Sequence, residues 1–145
     1  MEQFAQPVQL RWSDLDPNQH VRHSVYYDWA ASARLLFLSQ NGISTAMMKE
    51  LGIGPILFRE EAVFRREIRM EDQLEIRIEL TRSRRDYSRW TIRHELYKAG
   101  EILCATITVD IAWLNLHTRK LAAPPSTITD IFPKMPQSAD FAWTD

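Results

Sequence analysis

Residues 13–29 read SDLDPNQHVRHSVYYDW, a polar turn followed without a linker by an apolar, aromatic run. Asp14, Asp16, Pro17 and Asn18 are turn formers, because Asx side chains bond their own backbone and proline presets φ. From Ser24 to about Gln40 there is no Gly or Pro. Tyr26, Ala30, Ala33 and Phe37 recur at helical spacing there, with Ser24, Asp28, Ser32 and Ser39 toward the other side. This predicts a helix with Ser24 as N-cap and Asp28 near the positive end of its dipole. Asn41 and Gly42 are expected to end it, since both tolerate the left-handed conformation. The segment STAMMKELG (44–52) predicts a second, shorter helix closed by Gly52.

Working outward, VQLRW (Val8–Trp12) is expected to be a short strand ahead of the turn. After Pro55 the period changes to alternation. ILFREEAVFRREI (56–68) predicts a long strand with Ile56, Phe58, Ala62, Phe64 and Ile68 on one side, interrupted by Glu60 and Arg66. LEIRIEL (74–80) alternates strictly, so one face of its sheet is wet. SRWTIRHELY (88–97) turns Trp90, Ile92 and Leu96 inward, with His94 as an interruption. KAGE (98–101) then offers a tight turn into ILCATITVDIAWL (102–114), an antiparallel hairpin. The tail holds Pro124, Pro125, Pro133 and Pro136 and is expected to leave the sheet. One strand, a long helix, a short helix and four strands make an α+β layer: a five-stranded antiparallel sheet wrapped around a long central helix.

Composition bounds what such a layer does. With 145 residues the chain fits one domain, 1–145, and its 45% apolar and 26% charged residues are those of a globular protein. Eighteen basic against nineteen acidic side chains give a net charge of −1, so no global field draws nucleic acid or an anionic membrane. MEQFAQPVQLRW lacks the basic start and apolar core of a secretory signal, and no stretch is long and apolar enough to span a bilayer. The single cysteine, Cys104, lies on a predicted strand and is expected to be a buried structural thiol in a reducing, cytoplasmic setting.

The strand, turn and helix together resemble the start of hotdog-fold acyl-CoA thioesterases of the 4-hydroxybenzoyl-CoA thioesterase type. That family carries an Asp-x-Asp step, a turn often ending in Gly-His-Val-Asn-Asn, then a Tyr and an Ala-Arg on the long helix; Asp14, Asp16, His20, Val21, Tyr26, Ala33 and Arg34 match. In pattern the resemblance runs on through MEDQLEIRIEL to LNLHTRKLAAPP. Gln19 stands where the family usually has Gly, and Arg22 with His23 where Asn-Asn is common.

Thioester hydrolysis requires a base or nucleophile at the carbonyl carbon and hydrogen-bond donors for the developing oxyanion. A carboxylate just ahead of a helix, with the helix's unpaired first amides, offers both. The resemblance implies Asp16 as general base or nucleophile and the backbone amide of His23 as the group that polarises the carbonyl. His20 is a candidate to orient Asp16 or the attacking water, and Asn18 and Tyr26 are candidate substrate contacts. TRSRRDYSRW (81–90) carries Arg84 and Arg85, whose forked guanidinium groups suit the phosphates of coenzyme A. Asp14, Asp16, His20 and His23 follow no established metal-ligand spacing, so neither metal nor cofactor is expected. The expected partners are an acyl-CoA, with acyl-carrier protein left open, and further copies of the chain in a homodimer or homotetramer. Two other readings share the fold: an enoyl-CoA hydratase, since DPNQH approaches the Asp and His of such enzymes, and a non-catalytic acyl-ligand-binding protein.

Overall fold

A computed structural model describes residues 3–145. The elements, in chain order, are β1 (Phe4–Val8), a 3-10 turn (Trp12–Asp14), α1 (His23–Gln40), α2 (Thr45–Leu51), β2 (Ile53–Phe64), β3 (Leu74–Arg84), β4 (Arg89–Lys98), β5 (Ile102–Asn115), α3 (Ser126–Thr129), a second 3-10 turn (Phe132–Lys134) and β6 (Gln137–Thr144). The sheet runs β1-β3-β4-β5-β2 with antiparallel neighbours, and β6 joins it as a sixth strand, parallel to β3.

Alternation fixes the inner face. Leu74, Ile76, Ile78 and Leu80 of β3, Trp90, Ile92, His94 and Leu96 of β4, and Ile107, Val109, Ile111 and Trp113 of β5 are buried. Against them lies the predicted stripe of α1, Tyr26, Ala30, Ala33 and Phe37, joined by Val25 and Leu38. In the three-residue connection between β4 and β5, Ala99 and Gly100 are both left-handed (φ 53° and 77°) and the Glu101 amide donates to the Lys98 carbonyl at 3.3 Å.

Five expectations change. The first strand is Phe4–Val8 rather than Val8–Trp12, because the Arg11 amide donates to the Asp14 carboxylate at 3.0 Å and the chain turns there. The α1 N-cap is Arg22, not Ser24, and carries no side-chain cap, and Asp28 falls beyond the first turn, which holds no acidic residue. Only Gly42 takes the left-handed conformation after α1; Asn41 keeps φ −104° and its amide side chain donates to the Phe37 carbonyl at 2.8 Å. In β2 the register skips Phe58, a bulge that turns Leu57, Glu60, Ala62 and Phe64 toward the inner face and parts them from Ile56; Ile68 is buried beyond the strand end. The tail leaves the sheet only over α3 and its 3-10 turn, burying Ile128 and Phe132. It then returns as β6, so the sheet has six strands where five were expected.

Strand β6 meets β3 where β1 has stopped. β1 pairs with Leu74–Ile78, whereas β6 pairs Ala142, Trp143 and Thr144 with Arg82, Ser83 and Arg84 across a bulge between Leu80 and Arg82. Phe132 wedges beneath, edge-on to Trp90 at 5.0 Å and stacked on Tyr87 at 4.6 Å. Burying a phenyl ring of that kind contributes roughly 2–3 kcal/mol.

Candidate active site

Two arms of a short hairpin build the turn. Leu15 bridges Val21, the Asp16 amide donates to the His20 carbonyl at 2.7 Å, and the Arg22 amide to the Asp14 carbonyl at 2.8 Å. Asp16 closes the tip from inside: its Oδ1 accepts from the amides of Asn18 (2.9 Å) and His20 (3.1 Å). No bond engages Oδ2 among the described residues, which leaves one carboxylate oxygen for water. Gln19 sits at φ 67°, so the backbone keeps the left-handed step that the resembled family makes with glycine and pays for it in strain.

The second arm runs straight into α1. His23 is its first residue, and with no side-chain cap at Arg22 the opening amides of the helix remain directed outward. The hairpin pairing sets this helix start beside Asp14 and two residues from Asp16, about 7 Å along an extended chain.

Asp14 is structural. Its side chain is fully buried, and Arg11 grips it by the backbone amide (3.0 Å) and by Nη2 (3.0 Å). Burial pushes this carboxyl up, but the Arg11 guanidinium and amide, with the charge of Arg22, outweigh it and leave the group below the ordinary carboxylate range. His20 turns away from Asp16, placing Nε2 2.8 Å from Glu67 Oε2. Glu67 is itself held below its usual range, first by Arg69 and then by His20. Asn18 and His20 line an open groove of about 370 Å³ with Trp12, Leu15, Arg69 and Met70. Tyr26 is buried, edge-on to Phe64 at 4.9 Å, and burial raises its phenol to about 12. Among the described residues, no three His, Cys, Asp or Glu side chains are grouped to hold a metal ion.

Arg84 and Arg85 part company. Arg84 lines a groove of about 420 Å³ with Arg82, Arg89, Phe58 and Asp110, where Arg89 lies 4.9 Å over the Phe58 ring. Arg85 is outside that groove, 5.1 Å over the ring of Trp143. Phe58 lies inside β2 and Glu67 past its end, and the arginine groove shares no lining residue with the groove beside the Asp16 turn.

The sequence model of the thioesterase-like superfamily matches residues 10–132. The chain belongs to this superfamily. Membership makes it a thioester hydrolase, and the antiparallel sheet with α1 against it is the hotdog architecture. The hypothetical protein SAV2348 of Staphylococcus aureus, characterised in complex with CoA, is similar at 19% identity and TM-score 0.85, over 99% of this chain and 90% of that one. The 1,4-dihydroxy-2-naphthoyl-CoA thioesterase Slr0204 of Synechocystis is similar at 19% identity and TM-score 0.80, over 91% of this chain and 96% of that one. A probable thioesterase of Bartonella henselae shares 20% identity at TM-score 0.76, over 86% of this chain and all (100%) of that one. At these identities the likeness is one of fold. No curated protein matches the chain in sequence. Among the described residues no helix is long and apolar enough to cross a membrane.

Sequence reasoning passed over one polar pair. His94 is fully buried in β4, its Nδ1 2.7 Å from the Ile107 carbonyl and its Nε2 3.3 Å from Arg34 Nη1 on α1. Its place on the inward register with Trp90, Ile92 and Leu96 was the available signal.

Proposed function

We propose that the chain, acting as one hotdog domain over residues 1–145, is an acyl-CoA thioesterase in which Asp16 is general base or nucleophile. The carrying observation is the split carboxylate of Asp16: Oδ1 anchored by two amides, Oδ2 free, next to the uncapped start of α1. An anchored carboxylate directs its free oxygen at water or at the carbonyl carbon without reorganising. The His23 amide, at the positive end of an 18-residue helix, meets the carbonyl oxygen as it gains charge. His20 acts on the turn through its backbone amide rather than through its ring.

The arginine groove supplies the coenzyme A phosphates with partners, and a second subunit brings such a groove to Asp16. The outer edge of β3 is occupied by β1 and β6, whereas the outer edge of β2 is bare and bears exposed Leu57, Phe58, Val63 and Phe64. Antiparallel pairing of two β2 strands about a two-fold axis buries that edge and sets the Phe64 end of one beside the Phe58 end of the other. Each Asp16 turn then faces the partner's Arg84 groove, giving a homodimer with two composite sites and two sheets each wrapping its own α1.

The test is a panel of acyl-CoAs with free thiol and hydrated product both followed, on wild type and Asp16→Asn. Thiol release that falls at least about 100-fold in kcat while the fold persists supports the assignment. Activity within a few-fold of wild type removes Asp16 from the chemistry, and hydrated product in place of thiol makes the enzyme a hydratase.

A further inference from the structure

Arg34 stands on the side of α1 that meets the sheet, and its environment is unusual for a guanidinium. The only protein acceptor it finds among the described residues is His94 Nε2 at 3.3 Å. A carbonyl only accepts, so His94 Nδ1 carries the proton given to Ile107, and Nε2 is the bare acceptor. Burial, and then the charge of Arg34, push His94 down to about 3, so it is neutral and returns no charge. Glu60 is near enough to favour the cation without forming an ion pair. One of five N–H donors is thereby used.

Arg34 also lines an open pocket of about 190 Å³ with Leu35, Leu38, Met48, Leu57, Trp90 and Ile111. An apolar cavity of about 150 Å³ accepts a benzene ring, so this one takes a short aliphatic chain or a single ring. A cation on an apolar wall is costly until an anion meets it.

We propose that this pocket holds the acyl group of the substrate and that Arg34 binds a carboxylate at its far end, making the enzyme selective for acyl-CoAs that end in an acid. This rests on the thioesterase reading above and on its dimer, because the pocket shares Trp90 and Ile111 with the arginine groove and so meets the partner subunit's Asp16. A short diacid matches both properties of the pocket, with its methylenes on the leucines and its carboxylate paired to the guanidinium fork. His94 is the positioning residue, since its lone pair holds one Nη and turns the remaining donors toward the pocket.

The experiment compares adipoyl-CoA with hexanoyl-CoA, equal in carbon count and different only at the far end. Wild type should favour adipoyl-CoA by about 100-fold or more in kcat/KM, and Arg34→Met should bring the adipoyl-to-hexanoyl ratio to about one. Arg34→Lys, which keeps the charge, should retain part of it. His94→Leu should raise KM for adipoyl-CoA and leave kcat in place. Glu60→Gln, which leaves Arg34 without its nearest carboxylate, should keep or sharpen the preference. Equal losses on both substrates in Arg34→Met, or a wild type indifferent to the acid, would overturn the proposal. Calorimetry with free adipate and hexanoate separates this from the thioesterase reading. If neither thioester is cleaved, that reading fails, while adipate binding lost in Arg34→Met still supports the pocket; no adipate binding to wild type overturns it.

Discussion

Asp16 and Asp86 fold the chain in the same way and serve different ends. Each accepts the amide two residues on, from Asn18 at 2.9 Å and from Ser88 at 2.9 Å, and each turn holds a non-glycine residue in the left-handed region, Gln19 (φ 67°) three residues after Asp16 and Tyr87 (φ 58°) directly after Asp86. Past Asp86 the chain enters β4, and Tyr87 packs on Phe132. Past Asp16 it enters α1, whose first amides have no cap. An Asx turn is scaffolding until a helix end stands beside it; under the proposed function the helix start gives the Asp16 carboxylate a reaction to serve.

The widest separation between the two turns is in rate. Asp16→Asn keeps an acceptor for the Asn18 and His20 amides but loses the base, so kcat should drop at least about 100-fold with the melting temperature nearly unchanged. Asp86→Asn should leave kcat within a few-fold. Steady-state thiol release on both variants decides it, and comparable losses would dissolve the distinction.

Next come the arginines flanking Asp86. Arg84→Ala should raise KM for an acyl-CoA about tenfold and spare a pantetheine thioester that has no nucleotide, because a hydrogen bond to a charged group is worth roughly 1.5–3 kcal/mol. Arg85→Ala should leave KM alone and loosen the Trp143 contact by about 0.5–1 kcal/mol, read by denaturant midpoint. Equal rises in KM would put both side chains on the phosphates.

Acid should distinguish the turns again. The Asp86 carboxyl lies below its ordinary value, first through the Ser88 hydroxyl close by and then through the Ser88 amide, which makes the well-formed bond. A depressed carboxylate lends stability that is complete above its unfolded pKa and disappears as pH falls through the folded one. Below about pH 4, wild type should lose this share of stability and Asp86→Asn should not. Parallel acid-unfolding curves would mean that the bond is not felt.

The smallest effect is Gln19→Gly. Releasing the left-handed strain, less the entropy glycine costs, should stabilise the turn by under about 1 kcal/mol, measured by thermal melting. Destabilisation would mean that the Gln19 side chain holds the turn.

Distance along the chain decided how much of this was legible in the sequence. The face of α1, the alternation of β3 and the β4–β5 hairpin are local patterns, and so is the Asp16 turn; each emerged where the residues put it. β1 escaped because Pro7 interrupts its pattern on a sheet edge that tolerates proline. β6 escaped because the prolines before it hide DFAW, whose pairing with β3 spans some sixty residues. Arg84 and Arg85 looked equivalent as neighbours, yet Arg84 is the last residue of β3 and Arg85 lies in the turn after it, outside the groove. Arg34 and His94 are sixty positions apart, and nothing local announces them.

The late arrival of β6 sets the order in which this fold can be completed. Until Gln137–Thr144 has been synthesised, the Arg82–Arg84 stretch of β3 has no neighbour on its outer side. The arginine end of the sheet is therefore completed last, and a chain stalled before residue 137 presents an open strand edge to its neighbours.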